Sequence, residues 1–128
     1  MTKQGSGQSA WIVIDHGSRQ AEANAVVVEL AREIQRRRPG ILVTHAHMEI
    51  AEPSLEQAIA SCAEQGAQEI LVLPHFLAPG RHTRETIPEQ VAALARSHPR
   101  LTFEIAEPLG THPRLVDILC ERAEARSR

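Results

Sequence analysis

The chain repeats one pattern four times, and this repeat limits the fold more than any other feature of the sequence. In each repeat, a short apolar run is followed by a segment with apolar residues at helical spacing. The apolar runs are WIVID (11–15), ILVTHAH (41–47), EILVLPHF (69–76) and LTFEIA (101–106), and their starts lie about 30 residues apart. The pattern predicts four strand and helix pairs in series.

The ends of the predicted helices carry further signals. Thr86 with Glu89 resembles a capping box at the start of the third helix, and Pro113 suits the first turn of the fourth. Gly40 and Gly66 follow the first two helices. Because strand–helix–strand connections are short and right-handed, the order βαβαβαβα predicts an α/β fold, a doubly wound four-stranded parallel sheet with helices on both faces.

Length and composition narrow the possibilities for domains and partners. The 128 residues fit one domain, which we expect at residues 10–126 after a flexible N-terminal segment at residues 1–9. The net charge is −2, with acidic and basic residues interspersed, which argues against a nucleic-acid or membrane partner. Cys62 and Cys120 stand alone without CxxC spacing, so we expect a reduced, cytoplasmic protein.

Histidines concentrate where such a sheet binds its ligands, beyond the carboxyl ends of the strands. Six of the seven histidines follow or end an apolar run, and only His98 lies elsewhere. His16 and His82 each lie in a predicted loop near a glycine, which favours a functional role. The other four also have structural explanations, as strand residues (His45, His47), a strand end (His75) or a helix start (His112).

Serine and arginine side chains surround the two predicted loops. Gly17 and Ser18 fit an anion-binding turn, although Ser18 as a helix N-cap explains the pair without a ligand. A cationic rim suited to carboxylates is the predicted role of the neighbouring guanidinium groups of Arg19, Arg81 and Arg84. Each of these arginines also fits an ordinary solvated charge.

Four motifs carry a family resemblance over nearly the whole chain. They are IDHGSR (14–19), MEIAEPSLEQAI (48–59), LPHFLAPGRHTRETIPE (73–89) and EPLGTHPRLVDIL (107–119). In this order and spacing, they resemble the class II tetrapyrrole chelatases, in particular the short, single-domain CbiX-like sirohydrochlorin cobaltochelatases and ferrochelatases. The sequence departs from the family pattern at Asp15, where many relatives have a small residue, and at His75, where an aliphatic or aromatic residue is more usual.

The resemblance implies a lyase that inserts divalent cobalt, iron or nickel into sirohydrochlorin or a related carboxylate-rich tetrapyrrole, without ATP or an organic cofactor. The short members of the family also imply a homodimer. His16 and His82 match the family's metal-binding histidine pair, and Glu49 matches an acidic residue of the cavity. We therefore expect His16, His82 and Glu49 to be catalytic, with substrate-binding roles for Ser18, Arg19, Arg81 and Arg84.

Two other classes of function remain as alternatives at the level of sequence. The same two histidines would also suit a metal carrier or storage module that never meets a macrocycle. A hydrolytic or phosphoryl-transfer enzyme with His16 as base or nucleophile is disfavoured, because the sequence has no Walker-type loop and no serine-centred elbow.

Overall fold

The four apolar runs form the strands of one parallel sheet in the computed structural model, which describes residues 8–126. The strands are β1 (Gln8–Asp15), β2 (Leu42–His47), β3 (Ala67–Pro74) and β4 (Thr102–Ile105), in the spatial order β2-β1-β3-β4. The helices are α1 (Ala21–Arg37), α2 (Leu55–Glu64), α3 (Ile87–Ser97) and α4 (Pro113–Ala125). A π-helical turn, His82–Thr86, leads directly into α3. The predicted order and doubly wound α/β fold are confirmed.

Strand β1 begins earlier than its apolar run indicates. Ser9 pairs with Glu69 of β3, and its hydroxyl donates to the Glu69 carboxylate at 2.8 Å. Gln8 and Ser9 therefore belong to the sheet and not to a flexible segment. The rest of the predicted N-terminal segment, residues 1–7, lies outside the described residues.

Alternate residues of the central strand β1 face two separate apolar layers. Ile12 and Ile14 are fully buried in the larger layer beneath α2 and α3, where they share a core with Ile59 of α2. Val13 points the other way and packs near Val27 of α1. Burial on both faces explains why the strands read as nearly continuous apolar runs. Each fully buried isoleucine contributes roughly 1.5–3 kcal/mol of transfer free energy.

Two of the predicted helix starts are wrong in detail. Gln20, not Ser18, is the N-cap of α1, because the Ser18 hydroxyl accepts from the Gln20 N–H at 2.9 Å and stabilises the preceding loop. Thr86 makes no side-chain cap, since the π-helical turn continues into α3 and leaves no free helix end there. The capping box of this fold is at Ser54 and Gln57, at the start of α2.

The last helix is the least embedded of the four. Pro113 opens α4 as predicted, but no residue of α4 is buried, and Leu119 remains 66% exposed. An apolar cavity of about 530 Å³ separates α4 from α1 and the sheet, with Leu30 and Leu115 in its walls. Within residues 8–126, none of the helices combines the length and apolar character that crossing a bilayer requires.

Candidate active site

The loops after β1 and β2 are bonded to each other at the carboxyl edge of the sheet. Strand pairing ends with Asp15 opposite His47, and two further backbone hydrogen bonds extend the ladder into the loops. The Met48 N–H donates to the Asp15 carbonyl at 2.8 Å, and the Glu49 N–H donates to the His16 carbonyl at 3.0 Å. The backbone thus holds His16 beside Glu49, although 33 positions separate them along the chain.

Gly17 allows this close approach of the two loops. Its φ angle is +97°, in the left-handed region that favours glycine. A Cβ atom at this position would lie 1.9 Å from the Glu49 carbonyl oxygen. Only a residue without a side chain fits here, so the glycine of the HGS motif is explained by its contact with Glu49.

The side chains of His16 and Glu49 are joined as well. The His16 Nε2 atom lies 2.5 Å from the Glu49 Oε2 atom, and the two side chains are 46% and 56% exposed. This is an open, solvent-facing ion pair or hydrogen bond and not a buried structural one. Protons and cations from solution can reach both groups.

His82 completes the group from the third loop. Its ring centroid lies 4.8 Å from that of His16, and the planes are inclined by 50°. The Phe76 ring is also near, with 6.3 Å between its centroid and that of His82. His82 is the first residue of the π-helical turn, and its Nδ1 atom is 3.4 Å from the Thr86 hydroxyl. Short π-helical segments of this kind are frequent at functional sites.

The arrangement is open and incomplete as a metal cage. Among the described residues, no three His, Cys, Asp or Glu side chains form a cluster of the kind that encloses a metal ion. The structure brings together two imidazoles, with a carboxylate bound to one of them. Neutral imidazoles suit borderline divalent ions such as cobalt, iron and nickel, and a small donor set leaves coordination positions free.

The predicted substrate-binding residues take different positions. Arg81 and Arg84 flank His82 in sequence, and Arg19 follows the HGS motif; all three are exposed. The Arg81 Nε atom is 3.5 Å from the Glu85 carboxylate, an exposed contact of little energetic weight. Ser18 is half-buried, and its backbone N–H and carbonyl are both bonded to the Asn24 side chain. Those bonds hold Ser18 within the loop.

The remaining histidines of this edge differ in their surroundings. His47 is 2% exposed, and its Nδ1 atom lies 2.6 Å from the Asp15 carboxylate. His45 stands edge-on to His47 at 5.7 Å, and burial, together with the charge of His47, lowers its pKa. His75 lines the apolar cavity beside α4, and His112 is the N-cap of α4, as the alternative of a helix start predicted.

The Asp15–His47 pair is not predicted by the sequence motifs. In the sequence, Asp15 is a departure from the family pattern and His47 a strand residue, and both stand at the carboxyl end of a predicted strand. The signal that would have joined them is the strand register, since both residues end a strand and parallel neighbours β1 and β2 place them directly opposite each other. Register between two strands is not readable from one sequence alone.

A family model decides the relationship of this chain to known proteins. The model described as CbiX matches residues 10–126. The chain belongs to the CbiX family. This confirms the family that the four sequence motifs indicated, and apart from Gln8 and Ser9 of β1 the match covers the whole described sheet.

Two relatives in this family are well matched. The chain is 38% identical over 125 residues to "Sirohydrochlorin ferrochelatase, chloroplastic" of Arabidopsis thaliana, covering 97% of this chain and 56% of that protein. It is 37% identical over 113 residues to "Sirohydrochlorin cobaltochelatase" of Sulfolobus acidocaldarius, covering 88% of each. The chain therefore spans little more than half of the plant protein and most of the archaeal one.

A solved structure shares the architecture. The sirohydrochlorin chelatase SirB from Bacillus subtilis subspecies spizizenii, in complex with cobalt, superposes with a TM-score of 0.86 at 25% sequence identity. The match covers 91% of this chain and 50% of the SirB chain. The CbiX chain described here thus corresponds in length to about half of that protein.

Proposed function

We propose that this CbiX protein is a lyase that inserts a divalent metal ion, cobalt, iron or nickel, into sirohydrochlorin or a related carboxylate-rich tetrapyrrole, without ATP or an organic cofactor. One observation carries the proposal. At an open edge of the sheet, the ring centroids of His16 and His82 lie 4.8 Å apart, and the Glu49 carboxylate is bonded to His16. The names of the relatives, which include both ferrochelatases and cobaltochelatases, support the same reaction.

The two imidazoles suit a metal ion that has to leave again. The ion is a substrate here, so a closed cage of protein ligands would retain it and stop the reaction. His16 and His82 supply neutral nitrogen ligands, and the exposed position of His16 and Glu49 leaves room for a macrocycle to approach. The cobalt in the related SirB structure is consistent with this ligand chemistry.

Insertion also requires removal of two pyrrole protons, because the free macrocycle carries an N–H on two of its ring nitrogens. The Glu49 carboxylate and the His16 imidazole lie 2.5 Å apart, so a proton accepted by one can be shared with the other. Both side chains are exposed, and the proton can pass from them to water. General base catalysis of this kind contributes typically 10²- to 10⁴-fold.

Arginines near the histidines would hold the carboxylates of the substrate. Arg81 and Arg84 belong to the same turn as His82, and Arg19 follows the loop of His16. Guanidinium groups pair with carboxylates through two parallel hydrogen bonds, which orients a flat molecule with peripheral carboxylates. Ser18 is a weaker candidate, because its backbone is already bonded to Asn24.

A metal insertion assay with purified protein tests the reaction. Cobalt and sirohydrochlorin are mixed with the protein, and the change in the macrocycle absorption bands is followed over time. We expect His16→Ala and His82→Ala to lower turnover by about 10²-fold or more, since each removes a proposed metal ligand that is also a candidate acceptor for the pyrrole proton. His98→Ala is the matched control, because His98 is the C-cap of α3 and lies on no carboxyl-end loop.

The same assay separates the chelatase from the metal carrier. A carrier binds cobalt at the same histidines but leaves the sirohydrochlorin spectrum changing at the uncatalysed rate. Native protein that binds cobalt without accelerating the spectral change would contradict the proposed function. Repeating the assay with ferrous iron and nickel identifies the preferred metal.

We also propose that the working unit is a homodimer. Val116 and Leu119 on α4 are 51% and 66% exposed, which leaves an apolar helix face open to solvent. A second copy would cover that face and would add the length that this chain lacks relative to the SirB chain. Light scattering should give twice the mass of one chain. Leu119→Glu should shift the protein to monomer. The control variant Ala92→Glu, on the exposed side of α3, should leave the dimer intact.

The proposed compartment is the cytoplasm, and the proposed partners include neither nucleic acid nor membrane. Cys62 is buried and Cys120 is exposed, and both are free thiols, as expected in a reducing environment. Cell fractionation with an antibody against the protein tests the compartment. Recovery in a washed membrane fraction would contradict the proposal.

A further inference from the structure

A buried imidazole–carboxylate pair lies directly behind the proposed active site. His47 is the one fully buried polar side chain among the described residues, at 2% exposure, and its Nδ1 atom is 2.6 Å from the Asp15 Oδ1 atom. The Asp15 side chain is itself only 16% exposed. At this distance the two groups form a short hydrogen bond shielded from water.

The pair ties together the two strands that lead to the site. Asp15 and His47 are opposite residues at the ends of β1 and β2. Asp15 immediately precedes His16, and His47 stands two residues before Glu49. Beyond the pair, the loops are joined by the backbone bonds of Met48 and Glu49, and then by the His16–Glu49 contact itself.

Apolar packing alone does not explain why two polar residues stand at these positions. Val13, two residues before Asp15, faces the same side of β1 and packs in the apolar layer near α1, so an apolar residue would suit a neighbouring position. Burying a polar group costs free energy unless it is bonded, and removing one partner leaves the other unsatisfied. A hydrogen bond is directional, whereas apolar contact is not. The pair therefore fixes the relative position of the two strands more closely than apolar side chains would.

We propose that Asp15 and His47 are positioning residues that hold His16 and Glu49 in register for metal insertion; this inference rests on the proposed function. In this role the two residues act through His16 and Glu49 and do not themselves bind the metal or the macrocycle. Their bond keeps the ends of β1 and β2 from sliding or separating, so the His16 imidazole and the Glu49 carboxylate stay within hydrogen-bonding distance.

The role predicts an uneven effect on the two substrates. Loosening the pair displaces His16 and Glu49, which act on the metal and the pyrrole protons. The arginines proposed for the macrocycle follow β3 or lie beyond His16, and Arg81 and Arg84 are in a turn that the pair does not touch. The KM for cobalt should therefore rise and kcat fall, while the KM for sirohydrochlorin stays near its native value.

Matched variants separate the hydrogen bond from the volume of the side chains. Asp15→Asn keeps an oxygen acceptor at the same position, whereas Asp15→Leu has a similar size and no acceptor. His47→Asn keeps a donor near the place of Nδ1, whereas His47→Phe keeps a ring without a donor. We expect Asp15→Leu and His47→Phe to lower kcat by about 10-fold or more, and the two asparagine variants to recover much of that loss.

Kinetic constants for both substrates are measured below the melting temperature of each variant, which thermal unfolding establishes. If Asp15→Leu does not fold, Asp15→Ser removes the long acceptor with less strain and is judged by the same criteria. A folded variant without the bond that keeps the native kcat and native KM for cobalt overturns the positioning role. So does a rise in the KM for sirohydrochlorin as large as that for cobalt. An inactive native protein overturns both this role and the proposed function.

Discussion

Substitution of Gly17 by alanine should damage the site through one identifiable contact. The new Cβ atom would lie 1.9 Å from the Glu49 carbonyl oxygen, and real Cβ contacts essentially never fall below 3.0 Å. The loop after β2 must therefore move by about 1 Å or more. That movement lengthens the hydrogen bond from the Glu49 N–H to the His16 carbonyl and pulls the Glu49 carboxylate away from the His16 ring.

Gly66 provides a matched control within the same chain. Its φ angle is +98°, nearly equal to the +97° of Gly17, but a Cβ atom there meets nothing within 4 Å. Gly66→Ala thus carries the backbone strain without the collision. We expect it to lower the free energy of unfolding by about 1 kcal/mol, the left-handed penalty less the entropy that alanine removes from the unfolded chain.

Gly17→Ala should cost more, and it should also lose activity. The collision weakens the two backbone bonds between the loops, which adds about 1–3 kcal/mol to the strain. A misplacement of about 1 Å at catalytic groups reduces turnover by roughly 10²-fold. Urea unfolding gives the first quantity, and cobalt insertion into sirohydrochlorin, measured where both variants are folded, gives the second. Equal unfolding free energies and equal turnover for the two variants would refute the reasoning.

Three further predictions concern charge, reactivity and pH. Arg81→Ala should raise the KM for sirohydrochlorin more than it lowers kcat, and added salt should weaken substrate binding by this variant less than it weakens binding by the native protein. An unchanged KM and an unchanged salt response would leave Arg81 as a solvated charge. Burial raises the pKa of the Cys62 thiol to about 11. Iodoacetamide at pH 8 should therefore leave Cys62 unmodified in the folded protein and modify it in urea. Mass spectrometry of the peptide that contains Cys62 measures both results. Burial lowers the pKa of His45 below its ordinary value of 6.5, which means that the unfolded chain binds the proton more readily. The free energy of unfolding should therefore fall as the pH drops below about 6.5, and His45→Gln should show a shallower fall in urea titrations at pH 7.5 and 5.5; identical slopes would contradict the assignment.

Much of the fold was predictable because its determinants are local. The apolar runs and the helical spacing depend on neighbouring residues, and a parallel sheet buried on both faces leaves a strong pattern. The family motifs also placed His16, Glu49 and His82 at one edge. The 2.5 Å distance between the His16 and Glu49 side chains and the 4.8 Å distance between the His16 and His82 ring centroids depend on how loops from three different strands meet.

The errors arose where residue type alone does not decide which hydrogen bonds form. Ser18 has the residue type of an N-cap, but its loop is held by Asn24 from the first turn of α1, and this moves the helix start to Ala21. Thr86 has the type of a capping residue too, yet the preceding turn is already helical, so the chain there needs no cap. The Asp15–His47 bond depends on strand register, which no local pattern encodes.

The weak embedding of α4 has a consequence for how this protein responds to dilution. A helix without a buried residue can detach while the sheet and the other helices stay folded, so the amide hydrogens of α4 after Pro113 should exchange with solvent through partial opening and not through global unfolding. In the proposed homodimer, that opening would compete with subunit association. Exchange in α4 would then depend on protein concentration, while exchange in β1 would not, and the last helix would report the population of assembled protein.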